Sequence, residues 1–164
     1  YEMSASLVGS EMCIRDSSLL DRGFGQKSGA NGSGWGKANK VNLWARAKDG
    51  NRAYSMLREL INKNIAPNLW DFHPPYQMDG NCGYTSGVCE MLCYSSDDII
   101  ELLPALPEEW KNGSVKGLCA RGGYSLDFTW ENGEIKSLSV YSSCGKKTAR
   151  IKTGDEIKTV KTVG

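Results

Sequence analysis

The chain has 164 residues, 40% of them hydrophobic, and a formal net charge of +1. That length holds one ordinary domain or two small ones, and the near-cancelled charge gives no broad electrostatic case for a nucleic-acid or anionic-membrane partner. No stretch approaches the roughly 18 consecutive apolar residues of a membrane helix. The cysteines Cys13, Cys82, Cys89, Cys93, Cys119 and Cys144 form no CxxC pair, and His73 is the single histidine, so a zinc site is not expected. Cys89 and Cys93, four apart, can share a helix face as packed thiols, and the redox compartment is left open.

In chain order, Tyr1 is not a start methionine and the first residues lack the apolar core of a signal peptide. The run Ser4–Ser17 (SASLVGSEMCIRDS) resembles a translated sequencing-adapter read-through. Residues 1–17 are therefore read as a non-native leader, with the parent protein extending upstream of Ser18; an ordinary short leader is the alternative. Residues 18–34 are rich in Gly, Ser and Asn and read as a loop. The segment Gly29–Lys37 (GANGSGWGK) fails as a phosphate loop, because GxxxxGK[ST] would need glycine at Asn31 and Ser or Thr at Ala38.

A helix is expected over 35–48, where Trp35, Ala38, Val41, Trp44 and Ala45 populate adjoining faces, with Asp49-Gly50 as stop and turn. A second is expected over 51–64, with Ala53, Met56, Leu57, Leu60 and Ile61 at amphipathic spacing and Asn51 as cap; the two make an αα-hairpin. Residues 65–80 hold too many prolines for a helix but many aromatics to bury, the composition of a rigid, site-presenting loop. A third helix is expected from about Tyr84 to Ser95, after Gly80 and Gly83.

Beyond Asp98 the period changes to two. Tyr124, Leu126, Phe128 and Trp130 alternate with polar residues, Asn132-Gly133 signals a hairpin, and Ile135 is out of phase with Leu138 and Val140, which calls for a bulge near Lys136. Further strands are expected at 99–103, 114–119, 147–152 and 156–162. The lysines and arginine of the last segments, interleaved with Thr, Ile and Val, read as a solvated strand face. Glu101, Glu108 and Glu109, flanking a proline-rich connection, also read as solvated, and Glu90 is not promoted to a general acid.

The densest chemical constellation is His73-Pro-Pro-Tyr-Gln-Met-Asp79-Gly-Asn81. A sugar site needs flat apolar faces for C–H surfaces, with carboxylates and amides for hydroxyls, and glycoside hydrolysis adds a carboxyl pair. On residues alone, Asp79 can equally be an Asx turn and His73 a structural histidine.

Five segments, in order, bear a resemblance. They are Trp35–Arg46 (WGKANKVNLWAR), Asp49–Tyr54 (DGNRAY), Pro67–Asn81 (PNLWDFHPPYQMDGN), Leu102–Pro107 (LLPALP) with Trp110, and Gly117–Gly123 (GLCARGG). Together they resemble the end of the family 95 glycoside hydrolases, over about 18–153. The HPPxQxDGN run is the specific one. The resemblance implies an N-terminal β domain, an (α/α)6 barrel holding the active site, and a C-terminal β domain. This chain is then an α+β multidomain fragment: residues 18–96 are the last helices of the barrel, and 97–164 an antiparallel, β-sandwich-like C-terminal domain.

The family hydrolyses α-L-fucosidic bonds, commonly α-1,2-linked, with inversion, and some members prefer α-L-galactosides. The resemblance implies that Asp79 works with upstream asparagines to activate water and that His73 contacts the sugar. The general-acid glutamate and those asparagines would lie upstream of Ser18. Gln77 and Asn81 can orient Asp79, bond a sugar hydroxyl, or tie the loop backbone. The implied partner is a fucosylated oligosaccharide or glycan, with no nucleic acid, membrane, metal or organic cofactor, since proton transfer and water attack suffice. The isolated chain is expected to be inactive and poorly stable.

Tyr76 departs from the family's usual Phe, Gly36 from a common Ser, and Asn39 from a common aromatic; none of these touches the aspartate assignment. Trp35, Trp44 and Trp70 are expected to pack in the barrel. Two other readings stay open: a glycan-binding accessory module using Trp130 and Tyr124, and a structural domain without a site.

Overall fold

The computed structural model describes residues 33–72, 76–96 and 98–163. The proposed leader at 1–17, most of the loop at 18–34, Cys13 and His73 lie outside the described residues. The described chain begins with three helices, α1 (Gly34–Arg46), α2 (Gly50–Asn64) and α3 (Met78–Leu92). Seven strands follow: β1 (Cys93–Ser95), β2 (Ile100–Leu102), β3 (Gly113–Ala120), β4 (Tyr124–Glu131), β5 (Glu134–Ser142), β6 (Thr148–Thr153) and β7 (Glu156–Lys161).

Ser33 starts α1 by accepting the Gly36 N–H on its hydroxyl at 3.2 Å. The helix ends in a Schellman motif: Lys48 N–H bonds Ala45 O, Asp49 N–H bonds Trp44 O, and Lys48 takes the left-handed conformation (φ 60°). The turn expected at Asp49-Gly50 is thus made one residue earlier. Asp49, rather than Asn51, caps α2 by accepting the Arg52 N–H. Asn51 instead reaches the β part, where its Oδ1 accepts the Glu108 N–H at 3.0 Å. Gly50 is glycine because a Cβ there would lie 2.5 Å from the Ala105 carbonyl oxygen.

The third helix begins six residues before its expected start and stops three before its expected end. It contains Gly80, Gly83 and Gly87, which sequence preference counts against a helix. Packing overrides that preference. A Cβ on Gly83 would lie 2.8 Å from Ala38 Cβ, and one on Gly87 2.5 Å from Val41 Cγ1, so the glycines let α3 lie directly on α1. Asn42 locks the seam: its Nδ2 donates to Gly83 O (2.8 Å) and its Oδ1 accepts the Ser86 hydroxyl (3.0 Å). Cys93–Ser95 leaves the helix and pairs antiparallel with β2, which separates Cys93 from the helical face expected for it beside Cys89.

The β part has two sheets, ordered β1-β2-β6-β7 and β3-β4-β5. Ile100, Leu102, Ala149 and Ile151 of the first meet Leu126, Phe128, Trp130 and Val140 of the second in one core. This gives an α+β chain whose C-terminal part is all β. The first sheet is mixed rather than wholly antiparallel: β2 and β6 run parallel, because the chain crosses to the other sheet for β3–β5 before returning. The alternation in β4 is followed closely. Asn132 (φ 53°) and Gly133 (φ 79°) turn the hairpin, and the register shifts between Thr129↔Ser137 and Trp130↔Ile135, leaving Lys136 as the bulged residue.

The two parts are docked on each other. Val88 and Trp110 pack against both the β core and a helical core of Val41, Trp44, Ala45, Ala53, Leu57, Met91 and Ala105. Glu101, expected in solvent, has a side chain only 12% exposed and lies between Lys48 (2.7 Å) and Lys152 (3.2 Å), joining the α1–α2 turn to β2 and β6. Glu108 and Glu109 are exposed as expected, and Glu90 pairs with Arg46.

Two outcomes follow from this packing. Gly87→Ala is expected to lower unfolding stability by about 1–3 kcal/mol through overpacking against Val41, read as a lower denaturant midpoint at unchanged slope. The Cys93 thiol is pushed up to about 12, first by burial and then by Glu90 and Cys89, and Cys89 is raised for the same first reason. Since the thiolate is the reactive form, iodoacetamide at pH 8 followed by peptide mass mapping should label exposed Cys82, Cys119 and Cys144 and spare Cys93 until the chain is denatured.

Candidate active site

The segment between α2 and α3 is shaped by short-range bonds. Leu69 N–H bonds Ala66 O, Ala66 N–H bonds Trp70 O, and Asn68 Oδ1 accepts the Trp70 N–H, closing a tight loop around Pro67-Asn68. Leu69 holds the left-handed conformation (φ 67°), which a branched side chain rarely adopts. Ile65 bridges Asp71, and Phe72 bridges Tyr76. The chain thus doubles back and delivers Gln77 to the start of α3.

Asp79 is exposed in the first turn of α3, where a negative side chain favours the helix. Among the described residues no ion pair or hydrogen bond engages its carboxylate, so both oxygens are open to a ligand or water. Gln77 precedes the helix; its N–H donates to Asp71 O (3.1 Å), and its buried Oε1 meets no donor among the described residues. Asn81 spends its amide on the loop: Oδ1 accepts the Asp71 N–H (2.9 Å) and Nδ2 donates to Leu69 O (2.8 Å). Of the roles open to Asn81, the loop tie is the one this geometry displays.

Around this helix start stands an exposed apolar set. Trp70 and Tyr76 are about half exposed and in contact at a tilt of 47°, with centroids 4.5 Å apart, while Trp35, Leu69, Phe72 and Met78 are all exposed. Trp44 packs in the helical core; Trp35, in the first turn of α1, and Trp70, in the loop before α3, are exposed among the described residues. In the β part, Trp130 is buried, with its indole N–H on Trp110 O (2.8 Å). Tyr124 gives its hydroxyl to Thr148 O. Trp130 thus offers no free stacking face, and Tyr124 is half-buried with the Lys146 ammonium over its ring at 5.2 Å.

Sequence reasoning passed over Asp71. It is fully buried, and its carboxylate occupies the space that a Cβ on Gly34 or Gly80 would fill. A carboxylate inside a run of large apolar residues (Leu69, Trp70, Phe72) was the available signal, since acidic side chains are rarely buried without a specific role.

This arrangement coincides with a family signature. The model described as "Glycosyl hydrolase family 95 catalytic domain" matches residues 15–92. That described as "Glycoside hydrolase family 95, C-terminal domain" matches residues 94–163. The chain belongs to glycoside hydrolase family 95.

Among curated relatives, the chain is 35% identical over 129 residues to "Alpha-L-fucosidase 2" of Arabidopsis thaliana, covering 71% of this chain and 15% of that protein. It is 35% identical over 134 residues to "Probable alpha-fucosidase A" of Aspergillus oryzae (71% and 18%). It is 32% identical over 168 residues to "Probable alpha-fucosidase A" of Aspergillus niger (90% and 21%). The chain therefore spans 21% or less of the length of these relatives.

Asn81→Ala removes two bonds between α3 and the loop, each worth about 0.5–1.5 kcal/mol net. Hydrogen exchange should report it locally: the Asp71 amide loses protection while amides in β4 and β5 keep theirs.

Proposed function

We propose that the full-length protein carrying this chain is an inverting exo-α-L-fucosidase that releases terminal fucose, α-1,2-linked, from glycans. Residues 18–96 are its last barrel helices, within an (α/α)6 barrel, and 97–164 its C-terminal β domain. The observation that carries the reading is the HPPYQMDGN segment. It carries an exposed carboxylate with open oxygens, Asp79, at a helix start preceded by exposed aromatics. Membership in family 95 and three relatives with fucosidase names support it.

In this reading a water molecule attacks the anomeric carbon from the face opposite the leaving group. Asp79, with asparagines from elsewhere in the protein, receives the water's proton. A glutamic acid, also outside this chain, protonates the departing glycosidic oxygen as the C–O bond breaks. His73 and Gln77 contact the sugar. Asn81 keeps the loop that carries them against α3, and the exposed rings of Trp70 and Tyr76 offer apolar surface to C–H groups. No metal or organic cofactor enters this chemistry.

The test uses the full-length protein on a fucosyl-α-1,2-galactoside. Release of fucose whose first NMR-visible anomer is β supports hydrolysis with inversion. Asp79→Asn is expected to lower kcat by about 100- to 10,000-fold with folding intact. A variant that turns over at the wild-type rate would falsify the assignment. The chain by itself is expected to give no turnover.

A further inference from the structure

We propose that Asp71 is the positioning residue for Asp79, acting as a wedge between the first turns of α1 and α3. The proposal rests on the reading of Asp79 as the water-activating carboxylate. Three observations meet on this residue. First, its side chain has no solvent exposure at all. Second, its carboxylate lies where two helices begin: a Cβ built on Gly34 would be 1.8 Å from Oδ1, and one built on Gly80 would be 1.7 Å from Oδ2. Any side chain at either position would collide with the carboxylate, so the two glycines and the aspartate form one interlocked contact. Third, the Asp71 main chain is tied to the same helix start, with its N–H on Asn81 Oδ1 (2.9 Å) and its carbonyl accepting the Gln77 N–H (3.1 Å).

The chemistry of the location suits an anion. The opening turns of two helices bring two partial positive ends to one point. A buried carboxylate there draws both helix starts onto the loop and fixes the direction in which α3 leaves it. Asp79 directly precedes Gly80, the residue in contact with the wedge, so its carboxylate inherits that direction. A displacement of about 1 Å in a catalytic group can cost on the order of a hundredfold in rate. A contact that fixes the helix start can therefore govern kcat without touching substrate.

The experiment compares Asp71→Asn, Gly34→Ala and Asp79→Asn in the full-length protein, with folding checked by circular dichroism and melting temperature. Asp71→Asn is expected to fold with a lower melting temperature. Its kcat should fall about a hundredfold and its KM for an aryl α-L-fucoside should move by less than about threefold, since the lost interaction concerns the transition state. Gly34→Ala applies the same push through the carboxylate from α1 without altering α3, and should lower kcat in the same way; it also serves if Asp71→Asn does not fold. A purely structural Asp71 would lower the melting temperature and leave kcat per folded molecule within about twofold of wild type. That result, with Asp79→Asn inactive, overturns the wedge and leaves the fucosidase reading standing. If Asp79→Asn also retains full activity, the reading of Asp79 itself has failed.

Discussion

The contact on which the rest depends is the close approach of α1 and α3. Helices packed through ordinary side chains lie about 8–10 Å apart. Here Gly83 and Gly87 of α3 meet Ala38 and Val41 of α1 with no room for a methyl group, and Asn42 bonds across the seam. The same seam continues to the helix starts, where Gly34 and Gly80 close on the Asp71 carboxylate. One row of small residues thus sets both the spacing of the helices and the place where Asp79 emerges.

The β part is anchored to this pair rather than merely following it. α3 runs directly into β1, and Met91 and Leu92 carbonyls accept the Ala105 and Leu103 N–H groups. Asn51 and Gly50 receive the Ala105–Glu108 segment. Glu101 sits between cations from both parts. The shared contacts of Val88 and Trp110 make the two cores continuous, so strain in one reaches the other through packed side chains.

Legibility in the sequence varied with the kind of signal. The strand alternation Tyr124–Trp130, the Asn132-Gly133 turn and the bulge at Lys136 were readable because period two and turn chemistry are local. The first two helices were readable from their apolar spacing. The start of α3 was not: Gly80 and Gly83 read as a turn ahead of the helix, and only the Asp71 carboxylate and the surface of α1 explain them. Asp79 was readable as a candidate because its neighbours in sequence are His73, Gln77 and Asn81. Asp71, in the same run, passed unnoticed because its significance lies in Gly34, 37 residues away in the chain.

By itself the sequence determined the change from helices to strands, the turn and bulge of the β4–β5 hairpin, and the motif that places the chain in family 95. These rest on periodicity, turn preference and the order of residue types, all of which act over a few residues. Tertiary structure alone decided that glycines would build a helix, that Glu101 would be enclosed, that β2 and β6 would run parallel, and that Asp71 would be buried between two helix starts. Each of these depends on what a distant segment brings into contact, and close packing lets a neighbour's surface overrule the preference of the residue itself.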